Sequence, residues 1–142
     1  MRASSIRKED WPDEFRPVSE LGPKVGRRGA ARLRLSIPAR LITLEDTRRC
    51  ICVDLSRSGA QLALERPLAL GESCVLQIGP VEPFGNVVRM ARRDRGGTNG
   101  IAFDGELTDA HVLDVRQFAE GLAAAEQEAL RREAREWVSG VI

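Results

Sequence analysis

Between Leu33 and Phe103 the chain returns again and again to one pattern: short runs in which apolar residues alternate with polar ones, each cut off by glycine or proline. Leu33, Leu35, Ile37, Ala39 and Leu41 alternate with Arg34, Ser36, Pro38 and Arg40. A period of two puts one set of side chains into a core and the other toward solvent, as in a half-buried strand. Pro38 cannot donate to a ladder, so it predicts an edge or a bulge. Similar runs follow at Cys50–Leu55, Ala60–Glu65, Ser73–Ile78, Gly85–Arg92 and Thr98–Phe103. Ser56-Arg57-Ser58-Gly59 between the second and third runs is turn chemistry and predicts a hairpin. Six short strands at regular spacing predict a mainly β fold, a small six-stranded antiparallel barrel.

The period changes after Asp104-Gly105. Thr108 suits a helix N-cap, and Asp109 favours the first turn. Val112, Val115, Phe118, Ala119 and Leu122 form one helical stripe. The run to Trp137 is rich in Ala, Glu, Arg and Leu, so a C-terminal α-helix follows the barrel, with Gly121 kinking or splitting it and Gly140 stopping it. Glu128 stands four residues before Arg132, a spacing that supports an ion pair. Trp137-Val138 is read either as packing on the barrel or as a docking face. Residues 1–26, with Pro12, Pro17, Gly22, Pro23 and Gly26, read as a flexible arm with a short docked segment near Trp11 and Phe15. The predicted organisation is an arm over 1–26, a barrel over 27–106 and a helical extension over 107–142.

Two constellations carry chemistry. The first is Arg27-Arg28-Gly29-Ala30-Ala31-Arg32, with arginines at 28 and 32 separated by small residues. The small residues let a loop curl closely around a ligand. A guanidinium grips phosphate bidentately, reads the O6/N7 edge of guanine, or stacks on a purine. Taken alone, the segment reads first as a solvated basic stretch, because the motif is short and arginine is abundant. The second is Asp54-x-Ser56-x-x-Gly59. Asp54 and Ser56, two apart on a strand, share a face. A carboxylate there accepts from guanine N1 and N2, a hydroxyl serves a phosphate or a base, and Gly59 permits positive φ and close backbone approach. Taken alone, it is an ordinary hairpin turn. The two lie 22 positions apart, from Arg32 to Asp54. That is one strand, a turn and a second strand, enough to return the hairpin tip toward the arginines.

With both motifs in place, and with Asn99-Gly100-Ile101-Ala102-Phe103 as a final strand, residues 27–104 resemble the PilZ domain family. The resemblance implies a barrel that binds cyclic di-GMP, a bacterial second messenger, in a cytoplasmic receptor or adaptor acting on a protein partner. The implied ligand-binding residues are Arg27, Arg28, Arg32, Asp54, Ser56 and Gly59, with Arg57, Ser58 and Gly100 beside them. A guanine–arginine pair is worth roughly 1–3 kcal/mol of discrimination. Arg27 adds a third guanidinium just before the motif, and the family pattern there implies two ligand molecules per site.

Other classes find less support. A PilZ-fold interaction adaptor that does not bind nucleotide keeps the fold and drops the ligand. A nucleic-acid-binding barrel fits poorly with a net charge of +1, 4% aromatic residues and no Tyr. The charge is uneven, however: Lys24 to Arg40 holds six basic residues and no acidic one. No phosphate loop, nucleophile elbow or metal-binding His-Glu motif occurs, so no enzyme is expected. His111, the one histidine, reads as a surface residue of the first helical turn. Cys50, Cys52 and Cys74 lack the spacing of a zinc knuckle and read as reduced core residues. No cofactor, membrane span or export signal is expected from the sequence.

Overall fold

The structure is a computed structural model that describes residues 36–139. Six strands form a closed antiparallel barrel: β1 (Ile37–Ile42), β2 (Thr47–Leu55), β3 (Gly59–Leu64), β4 (Ser73–Gln77), β5 (Phe84–Arg92) and β6 (Gly97–Phe103). Around the barrel the order is β1-β2-β3-β6-β5-β4, and β1 closes on β4. Two helices follow, α1 (Asp109–Glu120) and α2 (Ala124–Val138). The C-terminal helix expected from the sequence is thus divided, and the break falls at Gly121. The start of the first predicted run, Leu33 to Leu35, lies outside the described residues, as do the arm and Gly140.

The inward positions follow the alternation. Ile37, Ala39 and Leu41 of β1 meet Cys50, Cys52 and Leu55 of β2, with Ala60, Leu62 and Leu64 of β3 beyond. Pro38 pairs with Ile51 on β2, but the β1–β4 ladder covers only Arg40–Ile42. The missing N–H therefore falls where β1 has no partner on its β4 side, an edge within a closed barrel. Burial pushes the Cys50 thiol up from an ordinary 9.0 to about 12, with Cys74 nearby adding to the shift. Burial likewise raises Cys74 to about 11. Both are core thiols in their neutral form.

Two register shifts break the alternation. In β2, Cys52 faces Leu62 but Asp54 faces Gln61, so Val53 is an extra residue. Strict alternation would give Asp54 the inward side of Cys52. The bulge turns it to the outer face with Gln61 and returns Leu55 inward opposite Ala60. In β5, Val87 faces Ile101 and Arg89 faces Gly100, which makes Val88 the extra residue and sends Arg89 outward.

One inward residue is polar. Asn99 of β6 is fully buried. Its Oδ1 accepts from the Leu68 N–H at 2.7 Å, and its Nδ2 donates to the Leu68 carbonyl at 3.0 Å and the Arg89 carbonyl at 3.3 Å. The side chain holds the β3–β4 connection against the barrel end and pairs both backbone groups of Leu68.

The helices have different seats. Leu107, Val112, Val115 and Ala119 join the interior core, so α1 plugs the barrel. Thr108 caps it as expected: its Oγ1 accepts from the His111 N–H at 3.0 Å, and His111 Nδ1 accepts from the Thr108 N–H at 3.2 Å. His111 thereby plays the part glutamate plays in a capping box. Helix α2 lies on the outside, where Leu130, Ala134 and Trp137 cover Ile51 and Ala63. This is why β2 and β3 are apolar on both faces over part of their length. Glu128 pairs with Arg131 at 2.7 Å, three residues on, rather than with Arg132. No helix among the described residues is long and apolar enough to cross a membrane.

Candidate ligand-binding site

The β2–β3 hairpin positions the second motif. The Ser56 N–H donates to the Gly59 carbonyl at 2.9 Å and closes the turn. Ser56 Oγ donates to the same carbonyl at 3.4 Å and lies 3.5 Å from Ser58 Oγ. Gly59 is required, but not for positive φ, which among described residues occurs only at Gly71 and Gly79. A Cβ at Gly59 would stand 2.5 Å from the Ile101 carbonyl oxygen. The glycine lets the turn press against β6. The reason given by sequence for a glycine here is thus half right: close approach, without the special backbone conformation.

The turn is anchored on its far side. The Phe103 N–H donates to the Ser58 carbonyl at 2.9 Å, and the Leu107 N–H to the Arg57 carbonyl at 2.8 Å. Arg57 Nη1 stands 3.8 Å from Asp109 Oδ1, at the start of α1. The hairpin tip, the end of β6 and the entry to α1 are therefore bonded to one another.

On the outer face the bulge at Val53 aligns Asp54 with three other strands. Asp54 is the ladder partner of Gln61, Gln61 of Gly100, and Gly100 of Arg89. Four strands at the usual spacing make a row about 14 Å across. A carboxylate stands at one end, a guanidinium at the other, and a glycine without a side chain lies between. Gln61 and Arg89 are the members that sequence reasoning missed. Their signal is the ladder register, which two bulges hide from a count along the chain. Asp54, Ser56 and Ser58 are all but completely buried.

Of the residues expected to bind ligand, Asp54, Ser56, Ser58, Gly59 and Gly100 come together in this region, and Arg57 directs its guanidinium to Asp109. Arg27, Arg28 and Arg32 lie outside the described residues. Their attachment point is described, however. Ile37 pairs with Cys52, so the chain enters β1 at Ser36 directly beside the bulge that leads to Asp54. Among the described residues, no group of three His, Cys, Asp or Glu side chains is placed to hold a metal ion.

Comparison with known proteins identifies a family. A family model described as "PilZ domain" matches residues 26–121. None of the curated proteins matches the chain. Among solved structures, the Bacillus subtilis inhibitor of motility MotI/DgrA is similar at 17% identity and a TM-score of 0.46, over 78% of this chain and 50% of that one. The PilZ domain of Escherichia coli YcgR with c-di-GMP is similar at 20% identity and a TM-score of 0.42, over 78% of this chain and 95% of that one. A crystal structure of YcgR in complex with c-di-GMP, also from Escherichia coli, gives 18% identity and 0.45, over 78% and 48%. The chain thus spans about half the length of the first of these structures.

Proposed function

The chain belongs to the PilZ domain family, and on that premise we propose that it is a cyclic di-GMP receptor or adaptor, a binding module rather than an enzyme. Arg28 and Arg32 hold phosphate and guanine, Asp54 accepts from a guanine edge, and Ser56 adds a hydroxyl contact. Gly59 shapes the turn, with Ser58 and Gly100 lining the same face. Arg27 stacks on a guanine of a second ligand molecule, so two bind per site. Ligand orders the arginine loop on the barrel, and the altered surface engages a protein partner in the cytoplasm.

The observation that supports this reading is the entry of the chain at Ser36, beside Asp54, on the face to which the Val53 bulge turns that carboxylate. Covalent geometry keeps Arg32 within about 14 Å of Ser36. Arg32 is thereby tethered to the side of the barrel that carries the guanine-edge acceptor. Isothermal calorimetry with cyclic di-GMP tests the reading. The expected result is binding with two ligands per chain, lost in Arg28→Ala and Arg32→Ala and weakened in Asp54→Ala. One ligand per chain refutes the role of Arg27.

The burial of Asp54 and Ser56 favours a second reading, a PilZ-fold interaction adaptor that binds no nucleotide. A ligand reaches a buried carboxylate only after local opening of the face, which costs affinity. The same titration separates the two, because the adaptor gives no heat with the parent protein.

A further inference from the structure

The outer face does not end at the barrel. Between it and α2 runs an open cavity of about 320 Å³, whose walls include Ser36, Val53, Gln61, Arg131, Arg135 and Val138. Three of these residues tie the cavity to the candidate site. Ser36 leads into β1, Val53 is the bulged residue before Asp54, and Gln61 is the ladder partner of Asp54. Its volume falls at the low end of the range for small-molecule sites, roughly 300–1,000 Å³.

The opposite wall is cationic. Arg131 and Arg135 stand four residues apart, so they stack on one face of α2. Arg131 is held by Glu128 within its own helix, and that pair is exposed. Arg135 has no ion pair among the described residues. On the barrel side the Gln61 Oε1 is buried and lacks a hydrogen-bond donor among the described residues. A cavity with guanidinium groups on one wall and an unsatisfied amide oxygen on the other suits a ligand that brings both an anion and an N–H donor.

We infer that Arg131 and Arg135 form a second cationic wall of the nucleotide site and grip a phosphate of bound cyclic di-GMP, while Gln61 accepts from a guanine N–H. The inference rests on the nucleotide reading above. Cyclic di-GMP carries two phosphates. The chain that carries the motif arginines joins the barrel at Ser36, on one wall of the cavity, and Arg131 and Arg135 stand on the other, so α2 offers cations to the second phosphate. Helix α2 then acts as a part of the binding site as well as a cover for Ile51 and Ala63.

Calorimetry on the full chain tests this with the parent, Arg28→Ala, Arg131→Gln/Arg135→Gln and Arg135→Lys. Glutamine keeps helix propensity at exposed positions, so α2 stays folded. The double variant is expected to bind cyclic di-GMP roughly tenfold more weakly, with a shallower dependence on salt, because charge-assisted contacts are lost. Arg135→Lys should fall between, since it keeps the charge and loses the fork. Glu128→Gln frees Arg131 and should tighten binding, a readout that stands even if the double variant misfolds. A parent that binds and loses affinity in Arg28→Ala, with the double variant within roughly twofold of it, overturns the inference and leaves the receptor reading intact. A parent that does not bind at all overturns both.

Discussion

The two C-terminal helices are neighbours in sequence, yet they meet the barrel in opposite ways. Helix α1 closes the core: Val112, Val115 and Ala119 on its one buried stripe complete the same cluster as the inward residues of all six strands. It is capped from both directions by Thr108 and His111. Helix α2 has no side-chain cap at Ala123 and rests on the outside of β2 and β3. Besides the apolar stripe of Leu130, Ala134 and Trp137, it is held by polar contacts at the surface. Arg49 meets Glu133 through two bonds at 2.6 and 3.0 Å, Arg95 meets Glu136, and Arg93 Nε donates to the Val138 carbonyl at 3.2 Å. A 15-residue helix is marginal in water without such a seat. The difference teaches that α1 belongs to the fold, while α2 can respond to what happens on the outer face, where the candidate site lies.

The largest effect should come from the interior. Val115→Asp places a carboxylate among apolar side chains with no partner, at a position with no exposure. The expected loss is about 4 kcal/mol or more, enough to unfold a small domain. Chemical denaturation followed by circular dichroism should find strands and helices lost together. Survival of the barrel signal with only helix lost would mean that α1 is as separable as α2, and the comparison would break.

Trp137→Ala probes the other side. The indole is buried against the barrel, and Gly96 lacks a side chain to admit it: a Cβ there would stand 2.9 Å from the Trp137 ring. Removal should cost about 3 kcal/mol of docking energy. Here the loss should be local. Amide exchange in α2 should quicken while β3 and β6 keep their protection. Equal loss of protection in the barrel would show that α2 is part of one cooperative unit.

The same contrast explains what could be read from sequence. Inward and outward alternation is a local pattern, so the six strands, the 54–59 hairpin and the Thr108 cap are legible residue by residue. The bulges are not. Nothing in Cys52-Val53-Asp54 marks Val53 as extra, because the shift is defined only against Leu62 and Gln61 on the next strand. A strict count along β2 from Cys52 puts Asp54 inside the barrel, where the motif would have no access to a ligand. Asn99 carries a signal of its own: an amide at an inward position of an apolar strand requires buried partners. The choice of Arg131 over Arg132 by Glu128, and the cavity between α2 and the barrel, depend on how the helix is rolled against β2 and β3. Long-range packing sets that roll. The candidate site was legible in its hairpin half, and the cavity beside it under α2 was hidden for this reason.

The smallest effect sharpens the comparison most, because it isolates the charged part of the α2 seat from the apolar part. Arg49 lies with its guanidinium 5.6 Å from the centre of the Trp137 ring while it pairs with Glu133. Both charged side chains remain substantially exposed, so solvent screens the pair. Arg49→Gln should therefore cost only about 0.5–1 kcal/mol, far less than Trp137→Ala. The deficit should shrink further in about 1 M salt, where the Debye length falls to a few ångströms, whereas that of Trp137→Ala should persist. Thermal melts of the parent and both variants at low and high salt measure it. A salt-insensitive loss of several kcal/mol in Arg49→Gln would mean that the ion pair, not the indole, seats α2. A small, salt-sensitive loss leaves the indole as the anchor and the charges as a trim on its orientation.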